Sequence, residues 1–280
     1  MIKMISTLRL FLCFLSFSCS PTKILIKSDR ITSYYFENKI AKTDKKKNKT
    51  ELNKKTLLKL NVEYGFGILM EKSDRIILED YSEGLKSYKK ANKYFSSAKS
   101  IGIDLLSQKY IYFDQWLLNN IDIEFEKDDI EVLYWLMAAY SGSISSSRGD
   151  PFEIINIPIV EKLLKTCLNL DSDWNNGAIY SALMSFTSIR PDLNEESKID
   201  TVTYYFNKAL SYSDSSDASL YVSYSELIHK PNLEKDLFLE KLNSAINIRV
   251  ARENQYYLSN LIAQNRARWL ISNICLLYTS

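Results

Sequence analysis

Several residue types on which chemical sites depend are scarce in this chain. Its 280 residues include 7 glycines, 5 prolines and a single histidine, His229. This histidine lies beside Pro231 without a visible nucleophile or metal-ligand partner, which favours a structural or surface role. The segment GFG at 65–67 lacks the lysine and hydroxyl residue of a phosphate-binding loop, so close helix contact explains it better. We therefore expect no catalytic residues, no metal site and no cofactor.

Cysteine is scarce as well, with four residues in the chain. Cys13 falls within the N-terminal leader, and Cys19 lies at the end of that leader. Cys167 and Cys275 lie on apolar helical stripes, which favours two small buried thiols over a disulfide bridge.

Alternating strand patterns are absent from the body of the chain, and a helical spacing recurs instead. In four places a small or apolar residue, a large apolar residue and a small residue follow at intervals of four and three positions. This spacing suits the second helix of a tetratricopeptide-like hairpin, where a small residue lets the neighbouring helix approach and a large one fills the groove. The triplets are Ala91, Phe95 and Ala98; Val160, Leu164 and Cys167; Val202, Phe206 and Ala209; and Phe238, Leu242 and Ala245.

Segments that can form the first helices of these hairpins lie between the triplets. Pro151 and Pro158 fall in connections or at helix starts, and Asp192 and Asn194 favour a helix start. The pattern predicts an all-α fold, a tetratricopeptide-like solenoid of helical hairpins over residues 56–280.

The N-terminus has the features of a secretory signal. Lys3 and Arg9 accompany an apolar run at 10–17 that is too short to span a bilayer. The residues that end at Cys19 resemble a bacterial lipobox. We therefore expect a signal peptide at 1–18 and a lipid on Cys19, with ordinary cleavage without a lipid as the alternative.

A basic tether is predicted at 19–55, between the lipid and the folded body. Positions 20–55 hold 11 basic and 4 acidic side chains. Aromatic residues do not interleave with the run KTDKKKNKTELNKK, which argues against nucleic acid and favours anionic lipid headgroups. The segment TKILIKSDRITSYYF has the composition of an extended segment but is too isolated to define a sheet.

Two arginines fall on different faces of the last long helix, in the stretch NLIAQNRARWLISNI at 260–274. At about 100° per residue, Arg266 falls inside an apolar arc. Arg268 falls on the opposite side with Gln264, where we expect solvent.

Arg266 therefore needs a partner. A buried guanidinium is costly unless it is paired. The sequence leaves two alternatives, a structural ion pair with Glu226 or Asp74, or an anionic ligand.

Aromatic residues concentrate on two neighbouring helical segments. Tyr134, Trp135 and Tyr140 lie on one segment, and Trp174 and Tyr180 lie around the next hairpin. Solenoids bury aromatic residues between layers, so core packing is one interpretation. The other is a pore or groove whose aromatic wall holds an apolar or amphipathic solute.

Five ordered segments of the chain share a further pattern. They are YGFGILMEKSDRIILEDYSEGLKSYKKANKYFSSA, LYWLMAAYSGSI, VEKLLKTCLNLDSDWNNGAIYSALMSF, YYFNKALSYSDSSDASLYVSYSEL and LSNLIAQNRARWLISNI. Their order resembles that of the T component of periplasmic TRAP transporter systems. The resemblance covers residues 60–275, and NRARWLIS is its most specific part.

This resemblance implies a tetratricopeptide-like lipoprotein of the bacterial periplasm that is not an enzyme. It also implies a helical ring or superhelix with a central pore, a homotrimer, and association with the solute-binding P component of a TRAP-type permease. The family's further hairpin before NVEYGFG is expected to be degraded or replaced here by lysine-rich sequence. The matching positions are Tyr64, Asp74, Trp135, Trp174, Gly177, Tyr224, Glu226, Asn260, Arg266 and Trp269.

The expected protein is thus a membrane-anchored periplasmic lipoprotein that binds a TRAP solute-binding protein. We expect a small apolar or carboxylate-bearing solute in its pore. The alternative is an envelope scaffold that grips peptides or proteins and has no solute. Asp74 and Glu226 are the candidate structural carboxylates. The candidate ligand or pore residues are Tyr64, Trp135, Tyr140, Trp174, Tyr180, Arg266 and Trp269.

Overall fold

The computed structural model describes residues 29–45, 50–118 and 120–278, so Cys19 and the predicted signal peptide lie outside the described residues. Within these ranges the chain contains helices and no strand, which confirms the all-α prediction. None of the described helices is both long and apolar enough to cross a bilayer.

The α-helices are α1 (Asp29–Asp44), α2 (Glu51–Tyr64), α3 (Glu71–Ile76), α4 (Tyr81–Lys109), α5 (Phe113–Leu117), α6 (Ile130–Ser147), α7 (Pro151–Ile154), α8 (Ile157–Leu170), α9 (Ala178–Ser188), α10 (Glu195–Tyr212), α11 (Ala218–Tyr224), α12 (Lys235–Asn247), α13 (Tyr257–Ser272) and α14 (Ile274–Tyr278). A short 3₁₀-helix spans Lys127–Asp129. The first π-helix spans Gly65–Met70, and the second π-helix spans Ser225–His229.

Helices that are close in sequence pack against one another along the chain. α1 contacts α2, α2 contacts α4, α4 contacts α6, and α6 contacts α8. The order continues from α8 through α9, α10, α11 and α12 to α13. This neighbour-to-neighbour packing is what a solenoid of helical hairpins requires, whereas the tetratricopeptide-like geometry and the closed pore stay predictions.

The four predicted triplets form the inner faces of four helices. All twelve residues are buried, and they lie on α4, α8, α10 and α12. The ring of Phe95 on α4 sits between Gly65 and Gly142. A Cβ atom at either glycine would come within 2.5 Å of a ring atom. Glycine at these two positions therefore permits the first π-helix and α6 to approach α4 closely.

Helix starts follow the sequence signals in most places. Asn194 caps α10, because its side chain accepts a backbone N–H of the first turn at 2.8 Å. Asp192 is not a cap and forms an ion pair with Arg190 in the preceding turn. Pro151 and Pro158 lie in the first turns of α7 and α8, where a missing N–H costs no helical hydrogen bond.

Residues 29–44 form α1, so the prediction of a solvated tether over 19–55 and of an extended segment is corrected here. Phe36 is 6% exposed and stacks on Tyr64 with ring centroids 5.4 Å apart. The Tyr64 hydroxyl donates to Glu37 at 2.9 Å. A helical hairpin of α1 and α2 is therefore present where the sequence suggests a degraded one. The buried face of α1 has few apolar residues, and the polar and charged residues around them obscure the helical pattern in the sequence.

The two C-terminal cysteines differ in burial. Cys167 is fully buried on α8, as predicted, whereas Cys275 is exposed. α13 ends before Asn273, so Cys275 lies on the separate short helix α14, and the apolar stripe of α13 does not extend to it.

The polar face of α13 is only partly solvated. Arg268 is exposed, as expected, but Gln264 is 5% exposed. Its side-chain amide donates to the carbonyl oxygens of Ala245, Ile246 and Ile248 at 3.1, 3.0 and 2.7 Å. Gln264 thus satisfies carbonyl groups at the C-terminal end of α12, which explains why a polar residue is buried there.

Candidate functional site

Three adjoining cavities lie between the helices, and the first and third of them are lined by segments from both the beginning and the end of the described chain. Their volumes are about 440, 420 and 430 Å³, each of a size that suits a small molecule. The first cavity is lined by residues that include Lys59, Glu63, Asp217 and Tyr256; the second by Met137, Ala138, Ile157 and Phe186; and the third by Met70, Glu71, Asp74, Glu226 and Arg266.

Five residues line both the first and the second cavity, so the two cavities meet at them. We call this group the waist: Val62, Phe66, Tyr134, Trp135 and Ser181. The Trp135 ring meets the Tyr134 ring edge-on at 5.4 Å, and the Lys59 ammonium lies 5.5 Å from the Trp135 ring. The waist is therefore mainly aromatic, with a cation against one of its rings.

Charged groups are confined to one side of the waist. In the first cavity, Lys59 Nζ lies 3.8 Å from Glu63 Oε1. Burial raises the pKa of Glu63, and the charge of Lys59 only partly opposes this rise. Burial likewise raises the pKa of Asp217, although it accepts hydrogen bonds from the Ser219 N–H and hydroxyl at 2.9 and 2.6 Å. The first cavity thus holds one lysine and two carboxylates with an increased affinity for protons.

The second cavity has a different chemistry. None of the described residues that line it is charged. Its polar side-chain groups are hydroxyls and the Trp135 indole N–H, and the rest is apolar, so it suits an apolar solute with an uncharged hydrogen-bonding group. The hydroxyl groups are those of Ser141, Ser145, Ser181, Ser185, Ser188 and Tyr134.

Arg266 lies on the wall of the third cavity and faces three carboxylates. Its Nη2 is 2.7 Å from Glu226 Oε1, and its Nε donates to Glu226 Oε2 at 3.2 Å. Its Nη2 is also 3.2 Å from Asp74 Oδ2, and its Nη1 is 3.2 Å from Glu71 Oε2 without hydrogen-bond geometry. We call these four residues the Arg266 cluster. It connects α3, the second π-helix and α13.

Further partners complete the Arg266 cluster. Arg75 donates to Glu71, and the Tyr88 hydroxyl donates to Asp74. Burial raises the pKa of Glu71 against the opposing charges of the two arginines. Burial lowers the pKa of Arg266, but the charge and hydrogen bonds of Glu226, together with the charges of Glu71 and Asp74, outweigh burial and raise it. The Arg266 guanidinium therefore stays charged and is matched inside the fold.

The structure separates the seven candidate ligand or pore residues. Trp135 lines the first and second cavities, and Arg266 lines the third. Tyr64 is fully buried and Tyr140 is 7% exposed, and neither lines any of these three cavities. Both pack in the hydrophobic core of α2, α4 and α6.

The remaining three candidates pack between helices rather than against the cavities. Trp174 contacts Tyr134 with ring centroids 4.7 Å apart. Tyr180 stacks on Tyr212 at 5.4 Å. Trp269 lies beside the Arg266 cluster, with the Arg266 guanidinium 5.0 Å from its ring.

Three other family positions have structural partners. Asn260 is fully buried, and its side-chain amide accepts one backbone N–H and donates to one carbonyl at the start of α11, each at 2.8 Å. Gly177 has a φ of 85° at the start of α9, a conformation that glycine adopts readily. The Tyr224 hydroxyl shares a hydrogen bond of 2.8 Å with Thr203.

Phe66 and Glu71 are among the site residues that were not predicted from the sequence. Phe66 lines all three cavities and is 38% exposed. The sequence signal for it is a large aromatic side chain between two glycines, in a segment interpreted only as a close helix contact. Glu71 lies three residues before Asp74 on the same helical face, so its spacing from Asp74 is the signal that could have found it.

Comparison with known proteins agrees with the order of the segments. Residues 45–276 match the family model described as the TRAP transporter T-component, which confirms the resemblance stated from the sequence. This family supplies an accessory component of TRAP transporters and is not a family of enzymes. A comparison with curated proteins gives no match. Because the family match extends over most of its length, the chain belongs to the TRAP transporter T-component family.

Proposed function

We propose that this protein is a periplasmic lipoprotein that docks the solute-binding P component of a TRAP system and holds a small solute in its adjoining cavities. The observation that carries the solute role is the pair of cavities that meet at an aromatic waist. Family membership supports the transport context. An apolar solute would bury the rings of the waist, which gives the favourable free energy of binding.

The chemistry of the cavities supports an apolar or carboxylate-bearing solute. A carboxylate would have Lys59 as its cation in the first cavity. An apolar part would fill the uncharged second cavity. The Arg266 cluster supports a structural role for Arg266, because a ligand would have to compete with Glu71, Asp74 and Glu226.

Attachment and assembly are further parts of this proposal. The leader supports export, and Cys19 would carry the lipid that holds the protein at the membrane. The lysine-rich sequence around 45–49 would lie near anionic headgroups. A homotrimer is the assembly that the family resemblance implies.

In-cell crosslinking of the full lipidated chain tests the proposal. We expect its capture to recover a TRAP solute-binding protein, identified by mass spectrometry. A Cys19→Ser variant checks the anchor, because it should appear in the soluble envelope fraction and still bind this partner. Recovery of other envelope proteins alone, with no solute-binding protein, would favour the alternative of a peptide- or protein-binding scaffold.

A further inference from the structure

Phe66 lines the first, second and third cavities. Of the five waist residues, it is the one that also lines the third cavity. Its side chain is 38% exposed although it lies between helices from both ends of the described chain. A position on the wall of all three cavities makes it the residue whose movement changes every connection between them.

The other aromatic residues of the waist are held by neighbours. Trp135 packs edge-on against Tyr134 and has the Lys59 ammonium over its ring. Tyr134 packs in turn against Trp174. Phe66 instead contacts Phe95 at 4.7 Å, with the planes tilted by 58°. Phe95 is fully buried, so it is a fixed surface from which the Phe66 ring can move away.

The backbone at Phe66 departs from regular helix. It belongs to the first π-helix, and Gly65 and Gly67 flank it. Helical segments of this kind are typical of functional positions, because the extra residue in the turn redirects side chains. A Cβ at Gly67 would lie 3.4 Å from the Ile262 side chain, so this neighbour does not crowd the segment. Phe66 thus has open space beside it on the Gly67 side, whereas the Phe95 ring packs closely on Gly65.

We propose that Phe66 is the gate that controls the movement of a solute between the first and the second cavity. A change of its χ1 rotamer would carry the ring from the waist toward the third cavity, whose volume of about 430 Å³ can receive it. This inference rests on the proposed solute role. The part of a solute that passes the gate is uncharged, because the second cavity has no charged lining residue among those described.

Stopped-flow fluorescence with the neutral dye N-phenyl-1-naphthylamine tests the gate on the full chain. Phe66→Ala and Phe66→Leu replace the ring with a smaller side chain, and we expect both variants to raise the association and dissociation rates at least about fivefold. Phe66→Trp enlarges the gate and should lower both rates by a similar factor. The dissociation constant should change less than the rates, because both directions of movement pass the same residue.

The surface phenylalanine Phe152, which is 86% exposed, gives the matched control Phe152→Ala, and its rates should equal those of the wild type. Thermal melts identify variants that fold, and Phe66→Leu keeps the test valid if Phe66→Ala does not. Dye binding with equal rates in all folded Phe66 variants would overturn the gate and leave the solute role intact. Absence of dye binding to the wild type would overturn the proposed solute role and the gate with it.

Discussion

The Arg266 cluster and the second cavity differ in how their side chains are satisfied. In the cluster, every charged group has an opposite charge inside the fold, and Arg266 alone faces three carboxylates. The second cavity is instead lined by apolar side chains such as Phe186 and Ile157, with no charged residue among those described. A substitution in the cluster should therefore act on folding, whereas one in the cavity should act on binding.

Arg266→Leu should give the largest effect and is the direct test of this difference. The variant leaves the partly buried carboxylates of Glu226 and Asp74 without a cation, whereas Glu71 keeps Arg75. We therefore expect the free energy of unfolding to fall by about 3 kcal/mol, the lower end of the range for a broken buried ion pair. Urea denaturation measures the loss. Arg268→Leu is the matched control, because Arg268 is exposed on the same helix, and its stability should stay close to that of the wild type.

Dye binding by Arg266→Leu and Arg268→Leu tests whether Arg266 is structural or binds a ligand. Dye affinity per folded Arg266→Leu molecule should be unchanged if the cluster is structural. A stable variant with lost affinity for a carboxylate-bearing ligand would instead make Arg266 a ligand-binding residue.

Gly65→Ala should give the next largest effect. Its new Cβ would lie 2.5 Å from the buried Phe95 ring, so the helix contact behind the waist must open. Overpacking of this kind costs about 1–3 kcal/mol of unfolding free energy. Gly67→Ala is the matched control, because its Cβ would make an ordinary contact with Ile262, and chemical denaturation should show no loss. Equal losses in both variants would show that the π-helix, rather than the Phe95 contact, requires glycine.

Ala138→Trp should weaken dye binding, whereas Arg266→Leu should weaken folding. Ala138 is partly buried and lines the second cavity, so an indole ring there would occupy the space of a solute. We expect a fall in dye affinity of about tenfold or more, equivalent to about 1.4 kcal/mol. Ala41→Trp adds the same ring at an exposed position of α1 and should leave affinity unchanged. Unchanged affinity in Ala138→Trp would place the dye outside the second cavity.

Glu63→Gln should give the smallest effect, on the pH dependence of stability. Burial holds the folded-state pKa of Glu63 above its ordinary 4.5, so the folded state keeps this proton to a higher pH than the unfolded state. Between these two pKa values, the free energy of unfolding should fall as the pH rises, and the variant should lack this contribution. At neutral pH, the free energy of unfolding of Glu63→Gln should exceed that of the wild type by less than about 1 kcal/mol. The effect is small because 34% of the Glu63 side chain is exposed to solvent.

Denaturation curves from pH 4 to pH 8 check this slope. Glu51→Gln is the matched control, and its effect on the pH dependence of stability should have the opposite sign. A hydrogen bond from Lys55 lowers the pKa of Glu51, so any stabilisation that Glu51 provides is lost as the pH falls. A wild-type slope in Glu63→Gln would contradict the assignment.

The sequence predicts well those features that depend on local spacing. The triplet of Val202, Phe206 and Ala209 is buried because intervals of four and three positions place these residues on the same face of one helix. Arg266 and Arg268 face different ways because two residues turn a helix by about 200°. Glu226 and Asp74 lie against Arg266 as the sequence suggests, and the position of Glu71, three residues before Asp74, places a third carboxylate on the same helical face.

Features that depend on distant packing could not be read from spacing. Gln264 is polar, and its burial follows from the open carbonyl groups at the end of α12. Phe36 is one of few buried residues on α1, and it is concealed by charged neighbours until Tyr64 packs on it. Phe66 lines a cavity only because helices from both ends of the described chain converge on it.

The Arg266 cluster also has a kinetic consequence. An open solenoid gains stability between neighbouring repeats, and its terminal repeats can unfold separately. Here α3, near the beginning of the described chain, is joined by ion pairs to α13, near its end. This contact can form only after the last long helix is available, so it belongs to the late part of folding and raises the average sequence separation of native contacts. We therefore expect a slower-folding chain whose two ends unfold together, with hydrogen exchange in α3 and α13 governed by one shared opening event.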